Sequence, residues 1–108
     1  MLTAAHCGNV ARVQIGLHNR NQNDGCVETI RVRRRVEHPD YDDDSITNDI
    51  SLLELETASN YAPIHLLTPA QSLSGFENQG VLMTVSGWGT THSGTNQLPT
   101  TLQKVDLP

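Results

Sequence analysis

Aromatic side chains are scarce in this chain: one Trp, one Phe and two Tyr in 108 residues, or 4%. With 36% hydrophobic residues in all, the sequence has thin material for a free-standing core, and it is expected to lean on surface supplied from elsewhere. Basic residues are in deficit, seven against twelve acidic ones, and the net charge of -5 argues against a nucleic-acid partner, which selects basic faces. No run approaches the roughly 18 apolar residues of a membrane span, so no membrane role is expected. No basic-then-apolar leader is present, and Met1 runs directly into Leu2-Thr3-Ala4-Ala5-His6-Cys7, which is expected to enter a domain part-way through. The two cysteines, Cys7 and Cys26, are too few to define a disulfide framework or a redox compartment.

What the sequence does contain is a succession of short apolar stretches separated by turns. Val13, Ile15 and Leu17 alternate with Arg12, Gln14 and Gly16, the period of a half-buried strand. Asn19 through Gly25 is polar and ends in Asp24-Gly25, as a loop or hairpin connection would. Ile30, Val32 and Val36 follow among arginines and predict a second strand with one charged face. His38 through Ser45 is acidic and turn-prone, whereas Ile50 through Leu55 is a compact apolar run that predicts a buried strand. Pro69 to Gly80 resembles a linker; Val81 to Val85 predicts a strand ending at Gly87-Trp88-Gly89, and Leu102 to Leu107 predicts one more. There is no internal repeat. Short strands at regular intervals favour an all-β barrel or sandwich.

Three stretches carry the chemistry: Thr3-Ala4-Ala5-His6-Cys7, Asn48-Asp49-Ile50-Ser51-Leu52-Leu53 and Val85-Ser86-Gly87-Trp88-Gly89. Their order and spacing, with His38-Pro39-Asp40-Tyr41 between the first two, resemble the trypsin-like (chymotrypsin) family of serine proteases over essentially the whole chain. The resemblance implies a partial chymotrypsin-like double β-barrel. Residues 1–68 would be an incomplete N-terminal barrel, 69–80 the inter-barrel linker, and 81–108 the first strands of the C-terminal barrel. It also implies that His6 is the general base and acid and Asp49 its orienting carboxylate. A serine hydroxyl is a poor nucleophile without an adjacent base. Histidine suits that task because its ordinary pKa, about 6.5, lies near working pH. A carboxylate on the other ring nitrogen fixes the tautomer and stabilises the imidazolium as it forms. His18, His38, His65 and His92 lack such flanking residues and are read as surface or structural.

By the same resemblance Trp88 is a packing residue, and Cys7 would bridge to a cysteine that this sequence does not contain upstream of His6. Cys26 stands where the common family pattern has no cysteine. Many trypsins bind calcium in the loop that here runs from Leu17 to Val27, but those two residues fall where the liganding carboxylates would be; no metal and no cofactor are expected. The run Arg31, Arg33, Arg34 and Arg35, with Asp40, Asp42, Asp43 and Asp44 shortly after, is read as a solvated strand edge with local charge compensation, and alternatively as a partner-binding patch.

The family's nucleophile lies in Gly-Asp-Ser-Gly-Gly, a stretch this sequence does not contain; Ser45, Ser51, Ser59, Ser72, Ser74, Ser86 and Ser93 are all in other contexts. The chain is therefore expected to be a truncated fragment, lacking the N-terminus and the serine region and inactive alone. Two function classes follow. The parent is a secreted, extracellular serine endopeptidase acting on protein or peptide substrates, or it is a non-catalytic homologue of the same fold that binds a protein, as an inhibitor or effector. A product without function is the bland third. Retention of both His6 and Asp49 favours the enzyme.

Overall fold

The computed structural model describes every residue except Asn23 and Glu77; at those two positions the expected loop and linker lie outside the described residues. The chain forms two compact units, Met1–Gly16 with Cys26–Tyr61, and Leu17–Gly25 with Ala62–Pro108.

The first unit is a four-stranded antiparallel sheet in the order β1-β4-β3-β2, built from β1 (Leu2–Thr3), β2 (Arg12–Ile15), β3 (Glu28–Glu37) and β4 (Ser51–Leu55), with a 3-10 turn at Ala5–Cys7. Val13, Ile30 and Leu53 form its core, with Val10, Ile15, Val32 and Leu55 packed around them. Burying such side chains stabilises the unit by roughly 1.5–3 kcal/mol each. The alternation read from Val13 and Ile15 produces β2 as expected, since successive side chains of a strand face opposite sides.

Two expectations about the first unit need correction. The apolar run at Ile50–Leu55 is not buried throughout. Leu53 is 3% exposed but Leu52 is 54% and Ile50 40%, and the inward position before Leu53 is taken by Ser51 at 1%. β4 has one covered face, so alternate residues of the run point outward. The arginine run, in turn, is a solvated edge only in part: β3 pairs with β2 over Glu28–Arg31 and with β4 over Val32–Glu37, and Arg33 and Arg34 stay solvated at 60% and 70% exposure, whereas Arg35 is only 18% exposed. The pairing of β3 with β4 shifts register between Val32 and Arg34. An extra residue in one strand reverses the face to which every later side chain points. Ile30 is therefore buried at 7%, whereas Val36 turns outward at 46% and Arg35 lies opposite the core residue Leu53. The compensating charges are glutamates: Arg33 and Arg34 pair with Glu54, and Arg35 with Glu37.

The second unit contains the antiparallel pair β5 (Met83–Gly87) and β6 (Gln103–Leu107), in register from Met83 opposite Leu107 to Gly87 opposite Gln103. Asn19 bridges Thr101, and Trp88 Nε1 donates to the His18 carbonyl at 3.2 Å. The stretch after Thr68 carries a short helix, α1 (Pro69–Leu73), opened by a reciprocal Thr68–Gln71 capping box with proline in its first turn. None of the described residues of this unit is buried. No helix among the described residues is long and apolar enough to cross a membrane.

Candidate active site

The structure brings His6 and Asp49 together. His6 sits in the Ala5–Cys7 turn, which closes when the Gly8 N–H donates to the Ala5 carbonyl at 3.0 Å. Gly8 has φ 65°, a left-handed conformation that glycine adopts without steric cost. Asp49 lies just before β4. Asn48 precedes it at φ 53°, held there by its Nδ2 donating to the Asp40 carbonyl at 2.9 Å. Asparagine is among the few residues that tolerate this region. Ile46, two positions earlier, is also left-handed at φ 51°, and for a β-branched side chain that is genuine backbone strain close to the site.

Both oxygens of Asp49 are directed at His6. Oδ1 accepts the His6 backbone N–H at 2.8 Å, and Oδ2 lies 2.6 Å from ring Nδ1. The Asp49 side chain is only 20% exposed and the His6 ring 58%. The hydrogen bond from the His6 ring, followed by that from the His6 backbone, holds the Asp49 carboxyl below the ordinary carboxylate range, against the opposing effect of desolvation. Asp49 is then ionised at neutral pH and can only accept. In neutral His6 the ring proton therefore resides on Nδ1, and Nε2 keeps a lone pair able to take a proton. That is the arrangement a general base needs.

Two residues that sequence reasoning did not single out hold the turn from the sheet side. Ser51 Oγ donates to the Ala4 carbonyl at 3.3 Å, and Arg35 Nη2 donates to the Ala5 carbonyl at 2.6 Å. Neither left a signal in the sequence, because the bulge that turns Arg35 inward is not visible there.

The other charged positions take up different roles. His38 Nδ1 accepts from the Asp40 N–H at 3.1 Å, closing a local turn. Asp42 caps the following turn, accepting from the Asp44 N–H at 2.9 Å, and its carboxyl is lowered by hydrogen bonds from Ser45 and Asp44. The Tyr41 hydroxyl donates to Asp43 at 2.7 Å, and its pKa is pushed up to about 12, chiefly by that hydrogen bond. Glu28 accepts from Ser59, from the Asn60 N–H and from Asn60 Nδ2, and hydrogen bonds from Ser59 and then Asn60 lower its carboxyl. No group of three or more His, Cys, Asp or Glu side chains able to hold a metal occurs among the described residues. Cys7 and Cys26 are both exposed and are not joined to each other.

Comparison with known proteins follows the same line. The family model described as Trypsin matches residues 1–108. The chain belongs to the trypsin family. Duodenase-1 of Bos taurus is 40% identical over 114 residues, covering 99% of this chain and 43% of that protein. Mast cell protease 3 of Ovis aries is 37% identical, with 99% and 43% covered, and Trypsin-1 of Astacus astacus 39%, with 99% and 47%. Among solved structures, that of GrC superposes with a TM-score of 0.78 at 31% identity, over 97% of this chain and 46% of the other. This trypsin-family chain thus spans less than half the length of the relatives it matches. Its fold is all-β with almost no helix, as part of a chymotrypsin-like double β-barrel.

Proposed function

We propose that His6 and Asp49 are the base and the orienting carboxylate of a Ser-His-Asp triad, in a protein that hydrolyses peptide bonds of protein or peptide substrates. The observation that carries the reading is the double engagement of Asp49 with the amide and ring of His6, in a chain of the trypsin family. In the reaction Nε2 takes the proton of the serine hydroxyl as it attacks the carbonyl, then returns it to the leaving amine. Asp49 stays ionised and holds the imidazolium in place. The steps use side chains and water alone, so no cofactor is called for. The proposed division is 1–68 for the part of the N-terminal barrel, 69–80 for the connection and 81–108 for the start of the C-terminal barrel. The place of action is extracellular.

The 108-residue chain by itself is expected to be inactive, because losing the nucleophile from a triad costs about a million-fold in turnover. Active-site titration of the purified chain checks this, and a stoichiometric burst would refute it. The wider proposal is tested by sequencing the full transcript on both sides of this reading frame. Gly-Asp-Ser-Gly-Gly downstream supports the endopeptidase. A full downstream half with another residue in place of that serine would make the protein a binding homologue instead.

A further inference from the structure

The peptide group between Ala5 and His6 is gripped at both poles by charged side chains. Its carbonyl oxygen accepts from Arg35 Nη2 at 2.6 Å, and its N–H donates to Asp49 Oδ1 at 2.8 Å. The peptide is planar and its C=O and N–H point in opposite directions, so a cation at one edge and an anion at the other lie along a single polarised unit. Pulling electron density onto the oxygen strengthens N–H donation, as in any hydrogen-bonded chain. The same carbonyl also accepts from the Gly8 N–H, so both of its lone pairs are used to close the turn that bears His6.

Arg35 is a costly choice for this place. It faces the covered side of the sheet opposite Leu53, its side chain is 18% exposed, and its Nε is buried with no hydrogen-bond partner among the described residues. A buried unpaired donor is destabilising, and an apolar side chain of similar length would avoid the cost. Stability alone therefore gives no reason for an arginine here. Its ion pair with Glu37, two residues along on the same face, fixes the guanidinium but leaves Nη2 on the Ala5 carbonyl.

We infer that Arg35 is a positioning residue, which acts through the Ala5–His6 peptide to hold the His6 amide and ring on Asp49. This rests on the reading of His6 and Asp49 as the catalytic pair. The effect should be legible without turnover. In isotope-labelled full-length protein, NMR reads the His6 amide proton, the low-field Nδ1 proton and the titration midpoint of the Asp49 carboxyl carbon.

Arg35→Met keeps the length and apolar stem of the side chain and removes both the charge and the unpaired donor. It should shift the His6 amide upfield, broaden the Nδ1 proton, and raise the Asp49 midpoint by about 0.3 units, as when a charged hydrogen bond loses about a fifth of its strength. Arg35→Lys, which keeps a cationic donor, should restore part of each change. Arg34→Met removes the same charge from a side chain that is paired with Glu54, and should move none of them. An unmoved His6 amide and Asp49 midpoint in Arg35→Met, with the Nδ1 proton present in both chains, would overturn the role of Arg35 and leave the pair standing. A wild-type chain with no Nδ1 proton, whose Asp49 midpoint is indifferent to His6→Ala, would overturn the pair and the inference together.

Discussion

The two units of this chain are built from similar strands but reach different ends. In the unit that carries His6, a sheet encloses Ala5, Val13, Ile30, Leu53 and Ser51, every one of them at 8% exposure or less. In the other, β5 and β6 pair in perfect register yet leave Met83 at 52%, Val85 at 52% and Val105 at 51% exposure. Backbone pairing alone gives a hairpin; covering one face gives a core. Asp49, Ser51 and Arg35, which contact His6 or its turn, all belong to the unit with the core. The proposed catalytic pair would need neighbours that cannot relax, and close-packed surroundings supply them.

The difference between the units rests most heavily on Leu53. Leu53→Ala is expected to cost about 2–5 kcal/mol, speeding amide exchange throughout β2, β3 and β4. Val85→Ala in the hairpin is expected to cost less than about 1 kcal/mol. Hydrogen exchange read peptide by peptide separates the two, and equal effects would deny that the units differ.

Acid should act on the same unit next. Asp49, Glu28 and Asp42, all in the first unit, have carboxyls held below the ordinary range by hydrogen bonds. A lowered carboxyl contributes stability above its unfolded-state pKa, and that contribution is lost as pH falls through the folded value. The first unit should thus lose some stability as pH drops below about 4, the ordinary carboxyl range. Asp49→Asn and Glu28→Gln should each flatten that dependence, as followed by circular dichroism against pH.

The smallest effect is expected at the other end of the pH scale. Tyr41 should titrate with a midpoint of about 12, because Asp43 accepts its hydroxyl hydrogen. A raised pKa means that the contribution is intact below the unfolded value, about 10, and fades as pH rises through the folded one. Asp43→Asn should bring the tyrosinate absorbance midpoint down toward the ordinary value, with little change in the sheet.

Much of the fold and of the candidate site is legible in the amino-acid sequence. The candidate pair His6 and Asp49, which the structure brings into contact, stood out because their flanking residues form a specific pattern, and the strands because alternation and turn residues punctuate them. The short helix had a local signature too, Thr68-Pro69-Ala70-Gln71, overshadowed by the prolines that suggested a linker. Arg35 was not legible. Counting alternate positions from Ile30 puts Val36 inside; only the register shift after Val32, a property of the β3–β4 pairing, puts Arg35 there instead. Ser51 was hidden for a related reason: within an apolar run the polar residue is expected to face out, yet here its hydroxyl has the Ala4 carbonyl as a partner and it can be buried.

The central claim is that His6, oriented by Asp49, activates a serine in the full-length protein, and covalent labelling by a fluorophosphonate probe tests it most directly. The wild-type full-length protein should be labelled at one serine, and His6→Ala and Asp49→Asn should slow the labelling by orders of magnitude with the fold intact. Labelling at an undiminished rate in His6→Ala, or none in the folded wild type, would contradict it.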